Sequence, residues 1–309
     1  MRMLFNLNEL PTDEAICAWS GDVDVYPLNF AKFTASNGVV LNMFNRLYIQ
    51  IAQCNNFLIQ TEGKDDEESL TQRAEVRFIR ALDYYYLIDL YGNVPFVDEN
   101  TGIGTYVPER ITRANLYTYI EKELKEIEPQ MKAPRANVYG RADQAAVWML
   151  LSRLYLNAEV YTGDPQWNAC IQECDDIINS GKYSLDINYS DPFKAHNENS
   201  LENILVIPYD EIFATGFNYH LAALHGANQK TYDLVGSPWG AGAYKGIPQF
   251  IDTYDPDDER LNATWLGGPQ YASDRTPLTG SYDLMGQPLI FVNKMPNGIF
   301  TGEAEGYRW

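Results

Sequence analysis

His220 and His225 stand close together in a stretch filled with aromatic rings, and with His196 they are the chain's 3 histidines. A metal-binding or general-base role needs imidazoles that converge with carboxylates or thiols. No His-rich or Cys-rich sequence accompanies these, and they read as structural. The 4 cysteines, Cys17, Cys54, Cys170 and Cys174, set no disulfide framework. Cys170 and Cys174 sit one helical turn apart, which predicts a buried thiol pair and not a zinc site. Asp255, Asp257, Asp258 and Glu259 crowd a proline-containing turn but miss the glycine and the late glutamate of an EF-hand loop. That turn reads as solvated, with a looser structural calcium site as the alternative. Glycine-rich phosphate loops, HExxH and Gly-x-Ser-x-Gly are absent from the sequence. Carboxylate pairs for glycoside hydrolysis can be drawn anywhere among 42 acidic residues, so their number argues for nothing.

Aromatic side chains are in surplus: 22 Tyr, 13 Phe and 6 Trp. A ring with a flat apolar face and a polar edge suits wet interfaces and stacking on sugars. Binding without catalysis asks for such a platform and a few hydrogen-bonding groups. The segment Pro208 to Tyr244 carries Phe213, Phe217, Tyr219, Tyr232, Trp239 and Tyr244 among turn-forming residues, and long ordered loops of this kind usually carry function. A net charge of −19 argues against nucleic acid and against adsorption to anionic lipid. No run of 18 apolar residues occurs, and the opening MRMLFNLNELPTDE has no signal-peptide apolar core.

The elements that would position such a platform are helical. From Ala74, apolar side chains recur at Phe78, Leu82 (or Ala81), Tyr85 and Ile88, the spacing of one helical face. A second stripe through Ile79, Leu82, Tyr86 and Leu90 predicts a helix wedged between two neighbours. Arg73, Arg77 and Arg80 step along a polar face, with Asp83 one turn on as the partner expected for Arg80. Gly92 and Pro95 end the helix. Met43 to Gln60 is a second helix, striped by Phe44, Leu47, Ile51, Cys54 and Leu58. Thr112 caps a surface helix whose outer face pairs Glu121 with Lys125 and Lys122 with Glu126. Asn137 to Gly163 opens on Gly140-Arg141-Ala142 and continues with Leu150, Leu151, Leu154 and Tyr155. Asp164 and Pro165 start the next helix, striped by Trp167, Ile171, Cys174 and Ile178 and ended by Gly181. Two helices around a short turn make an antiparallel hairpin. Residues 1–41 read as irregular, Ile204 to Ile207 as a strand, and Trp265 to Tyr271 as loop.

Ala74-Glu75, Arg77-Phe78-Ile79-Arg80-Ala81, Tyr84 to Tyr86, and Tyr91-Gly92-Asn93-Val94-Pro95 together resemble, in this order, the signature helix of the SusD/RagB family. Those proteins are glycan- or nutrient-binding lipoproteins of the bacterial outer membrane. Gly140-Arg141-Ala142, Ala145-Ala146, Leu150-Leu151, Arg153 and Tyr155-Leu156 follow a second family progression. The resemblance implies a mainly α fold of tetratricopeptide-like hairpins with a loop-rich, minor-β remainder. It implies one domain over 1–309, shortened at both ends, with a scaffold at 42–180 and ligand-facing parts at 1–41 and 181–309.

Function follows from the same resemblance: non-catalytic capture of a glycan at the cell surface, by a lipid-anchored protein covering a SusC-like TonB-dependent transporter. No cofactor is implied. Trp19, Tyr26, Phe33, Tyr219 and Trp239 are the candidate platform, with Asp13 and Asp22 as hydroxyl acceptors; the family suggests their loop positions and not their individual roles. A peptide-binding helical-repeat adaptor and a glycoside hydrolase are the alternatives.

Overall fold

The computed structural model describes residues 2–101, 107–194, 197–209, 219–231, 236–240, 242–266, 271–277, 283–284, 287–288 and 290–292, with backbone alone at 219–220, at 266 and from 283 onward. In chain order the main helices are α1 (Arg2–Glu9), α2 (Gly38–Gln60), α3 (Glu67–Leu90), α4 (Arg113–Ile127), α5 (Gln144–Leu156), α6 (Ala158–Thr162), α7 (Trp167–Asn179) and α8 (Tyr219–Ala223). The strands are short: β1 (Ala15–Cys17), β2 (Val94–Pro95), β3 (Arg110–Ile111), β4 (Tyr244–Gly246), β5 (Trp265–Leu266), β6 (Asp283–Leu284), β7 (Gln287–Pro288) and β8 (Ile290–Val292). The fold is mainly α. It divides into two compact units, one of residues 1–42, 185–200 and 207–309, the other of 43–184 and 201–206.

In the helical unit α3 packs on α4, α5 on α7, and α4 also touches α5 and α6, an arrangement of paired helices in keeping with a tetratricopeptide-like superhelix. Helix α3 starts where the Asp66 carboxylate accepts from Ser69 N at 3.0 Å. It stops where Gly92 takes φ +76° and its N–H bonds back to Leu87 O. The expected stripe is buried: Ala74, Phe78, Ala81, Tyr85 and Ile88 all lie in the core.

The arginine face differs from expectation. Arg80 is 1% exposed. Its guanidinium donates to Glu123 Oε2 at 2.9 Å, to Asn55 Oδ1 at 2.7 Å, and to Glu99. Arg77 holds Glu123 from the other side through two hydrogen bonds, at 3.0 and 2.7 Å. Helix α4 therefore turns a buried glutamate inward and is not a plain surface helix, although Lys125–Glu121 closes at 2.7 Å as its spacing predicts. A buried guanidinium needs such partners, because removing its hydration unpaired costs several kcal/mol. Asp83 is not its partner; the buried Asp83 Oδ2 has no hydrogen bond.

Three other expectations change here. Asp164 does not cap α7, which begins at Trp167 behind an uncapped Gln166. The stripe Trp167, Ile171 and Ile178 lies in solvent, Cys170 and Cys174 are half-buried, and Ile177 is the buried residue of α7. Ile204 to Ile207 is irregular: among the described residues no strand pairs with it, and an apolar run alone cannot make a strand.

The other unit is built on a four-stranded antiparallel sheet of order β1-β4-β8-β5. Trp265 and Leu266, read as loop, form its edge strand β5. Residues 2–9 are a helix and not irregular chain: Leu4 and Phe5 are buried, and Met3 and Leu7 pack on the same cluster, the i, i+3, i+4 spacing of a helical face. That cluster joins Phe5, Leu10, Cys17, Val25, Leu28 and Tyr244, with Trp19 and Trp265 against its rim.

Candidate functional site

Strand β1 runs into Ala18 and Trp19. The Ala18 N–H donates to Ala243 O at 2.7 Å, and the Ala243 N–H donates to Ala222 O at 2.5 Å. Along the same backbone ladder the Trp239 N–H donates to Leu221 O at 2.5 Å. Gly242 closes the loop at φ +76°; a Cβ there would lie 2.5 Å from Ala223 O and 2.9 Å from Lys245 Nζ, so only glycine fits. The ladder thus fixes both tryptophans, one from each end of the unit's sequence.

Their rings meet. The centroids of Trp19 and Trp239 are 6.0 Å apart with the planes inclined by 36°. Trp239 is 41% exposed, while Trp19 is half-buried with its back on the core. Arg2, on the first turn of α1, lies 5.9 Å from the Trp19 centroid and 6.0 Å from that of Trp239. A guanidinium over two indole faces is held by their quadrupoles. Arg2 also hydrogen-bonds the side chain of Tyr244, whose hydroxyl donates to Asn6 Oδ1 at 2.7 Å. Burial pushes the Tyr244 phenol up to about 12, so it stays a neutral donor.

Asp22 completes the group. Its Oδ2 is 3.7 Å from Arg2 Nη2, and its Oδ1 accepts from Asp24 N at 3.1 Å and Val25 N at 2.9 Å. Asp22 therefore has one oxygen tied into the turn and the other turned to Arg2. The neighbouring Asp24 carboxylate is held by Gly38 N at 2.8 Å.

The remaining candidates are not brought to this pair by any recorded contact. Tyr26 turns its ring onto Phe30 at 5.4 Å. Phe33 is 39% exposed and makes no ring contact with another described residue. Asp13 is exposed in the bend between α1 and β1. The Tyr219 side chain lies outside the described residues. Arg2 was missed, because seeing it requires α1 to be recognised. Its apolar spacing at Met3, Leu4 and Leu7 was the available signal.

His225 is structural, accepting from Ala227 N through Nδ1 at 3.0 Å; His196 and the His220 side chain lie outside the described residues. In the acidic turn Asp258 caps the helix Glu259–Thr264 and grips Arg260 at 2.5 Å, and Asp255 accepts from Asp257 N at 2.9 Å. Among the described residues no group of three or more His, Cys, Asp or Glu is arranged to hold a metal.

A family model described as "Starch-binding associating with outer membrane" matches residues 12–156. The starch-binding protein SusD of Bacteroides thetaiotaomicron is 43% identical over 208 residues, covering 66% of this chain and 37% of the relative. A SusD-like protein, P25, of Formosa agariphila is 27% identical over 199 residues, covering 58% and 34%. The chain thus spans about a third of the length of these two relatives. Among solved structures, a SusD superfamily protein of Parabacteroides distasonis superposes with a TM-score of 0.78 at 18% identity, over 99% of this chain and 67% of that one. Surface glycan-binding protein A of Bacteroides thetaiotaomicron, solved with laminarihexaose, gives 0.73 at 20% identity, over 100% and 70%. Residues 12–156, which hold the signature helix at 74–97, thus match the SusD-like family, and the chain as a whole shares the fold of a solved SusD superfamily protein.

Proposed function

We propose that this chain binds a glycan without cleaving it, on the inclined surface formed by Trp19 and Trp239. That ring pair is the observation that carries the reading. Two flat faces set at an angle match successive sugar rings of a bent chain, whose C–H faces stack on indole while their hydroxyls stay wet. Arg2 supplies donors and Asp22 an acceptor at the rim. Phe33, Tyr26, Asp13 and Tyr219, the last at the start of α8, are proposed as further contacts for a longer glycan, apart from the ring pair. The SusD and laminarihexaose-binding relatives support sugar as the ligand class.

Catalysis has no support from this surface. Glycoside hydrolysis needs two carboxyl groups free to flank one bond, and Asp22 and Asp24 both hold backbone N–H groups. The family description, outer-membrane association, supports a location at that membrane, and passage of the glycan to a SusC-like TonB-dependent transporter is the role we propose there. No cofactor enters this reading.

Native electrophoresis through gels with and without embedded starch, laminarin or xyloglucan tests it, alongside a reducing-sugar assay. Retardation by at least one glycan with no sugar released supports binding alone. Sugar release by the purified protein, or free migration through every glycan, contradicts it.

A further inference from the structure

Strand β1 lies at one edge of the four-stranded sheet, with β4 as its neighbour. Ala18 turns its N–H toward the β4 side, where Ala243 O accepts it. Cys17, one residue earlier, therefore turns its N–H and C=O the other way, out of the sheet. Cys17 is 0% exposed, and buried backbone groups left without partners are costly. Among the described residues no strand meets this edge. Asn29 meets it instead: its Oδ1 accepts from Cys17 N at 2.9 Å, and its Nδ2 donates to Cys17 O at 2.8 Å. A carboxamide sets an acceptor beside a donor, the two groups that a further strand would offer to a sheet edge.

Asn29 is itself anchored. It belongs to the 3-10 helix Tyr26–Phe30, which starts with Pro27 in its first turn and buries Leu28 in the core cluster. The carboxamide therefore closes the base of the loop 18–28, which carries Trp19 and Asp22. Inside this loop the Asp22 N–H donates to Trp19 O at 3.0 Å, and the Tyr26 N–H to Asp22 O at 3.1 Å. Its far side is tied by Asn37 Nδ2, which donates to Asp24 O at 2.7 Å. Of these ties, the Asn29 carboxamide is the one that reaches β1, two residues before Trp19.

We propose that Asn29 is a positioning residue of the sugar surface, clasping Cys17 so that Trp19 leaves β1 where its ring meets Trp239. The inference rests on the reading of those two rings as that surface. Asn29 acts through the Cys17 backbone and not on the glycan. Without the clasp, the loop is free to take other positions, and the ligand must bear the cost of ordering it.

The test compares the whole chain with Asn29→Ala and Asn29→Asp, using whichever of starch, laminarin and xyloglucan retards the unaltered protein. Asn29→Ala is expected to bind about fivefold or more weakly, with a less favourable binding entropy by calorimetry, while circular dichroism shows it folded. Asn29→Asp at neutral pH still accepts from the Cys17 N–H but sets a carboxylate against Cys17 O, so it should bind as weakly. At roughly pH 4 its carboxyl gains a proton and with it a donor. Its affinity, relative to the unaltered protein at the same pH, should then return. Acrylamide quenching of the free protein is a readout independent of sugar. It should rise in Asn29→Ala, and the rise should vanish when Trp19→Phe is added. A folded Asn29→Ala variant with unchanged quenching overturns the proposal, whatever its affinity, because Asn29 then does not hold that ring. If Asn29→Ala does not fold, absence of the acid recovery in Asn29→Asp overturns it. If the unaltered protein binds none of the three glycans, the reading of the surface falls, and the Trp19-dependent quenching decides whether Asn29 positions the ring.

Discussion

Trp19 and Trp239 stand with ring centroids 6.0 Å apart and planes inclined by 36°, although the chain between them makes up most of the protein. Hydrogen bonds from Ala18 to Ala243, from Ala243 to Ala222 and from Trp239 to Leu221 fix their backbones. These bonds fix where the two side chains leave the main chain, and the contacts of Arg2 with both rings act on the angle between them. Pre-set geometry lowers the ordering cost of a ligand.

Arg2 is predicted to hold the two rings at that angle. Arg2→Ala should weaken glycan binding severalfold, on the order of 1 kcal/mol, and shift the tryptophan emission of the free protein. Arg2→Lys keeps the charge but loses the planar contact with two rings, so it should recover part of the affinity. Titration calorimetry and fluorescence spectra check both. Unchanged emission and affinity in Arg2→Ala would remove Arg2 from the surface.

The Arg80–Glu123 pair should matter for stability more than its place in a polar stripe suggests. Arg80→Met leaves the buried Glu123 short of a partner and should cost about 3–5 kcal/mol, measured by urea unfolding. Loss of less than ~1 kcal/mol, the usual range for exposed pairs, would show the pair to be solvated.

Two buried groups give the stability a pH dependence of opposite sign. Burial pushes Asp83 up to about 8 from an ordinary carboxylate value. The folded state then binds the extra proton between about pH 4 and 8, so this group's contribution falls as pH rises through that window. Asp83→Asn should flatten the fall and stabilise the protein most at pH 8. Burial pushes Lys245 down to about 7. Between about pH 7 and 10 the unfolded chain holds the extra proton, so stability from this group rises with pH, and Lys245→Met should remove the rise. Urea midpoints from pH 4 to 10 check both signs.

Much of this architecture can be read from side-chain order. Gly92 and Pro95 end α3 where they must, and Thr112 caps α4 with its hydroxyl 3.3 Å from Asn115 N, because caps and stops are local chemistry. Periodicity shows which face of α7 is apolar, but not whether anything covers it. Arg80 looked like a surface residue because its partners, Glu123, Glu99 and Asn55, come from other parts of the chain. For the candidate site, the types of Trp19, Trp239 and Asp22 suggest a platform, while the pairing of the rings depends on a sheet whose strands are too short to announce themselves. Arg2 was hidden for a related reason: α1 is only eight residues long, too short for its apolar spacing to stand out.

Glycan binding by Trp19→Ala, Trp239→Ala and the double variant, measured by calorimetry with whichever polysaccharide retards the unaltered protein, is the most direct test. Each single change should weaken binding at least tenfold, about 1.4 kcal/mol, and the double should abolish it while circular dichroism stays unchanged. A folded double variant that binds as tightly as the unaltered protein would contradict the claim that these two rings form the sugar surface.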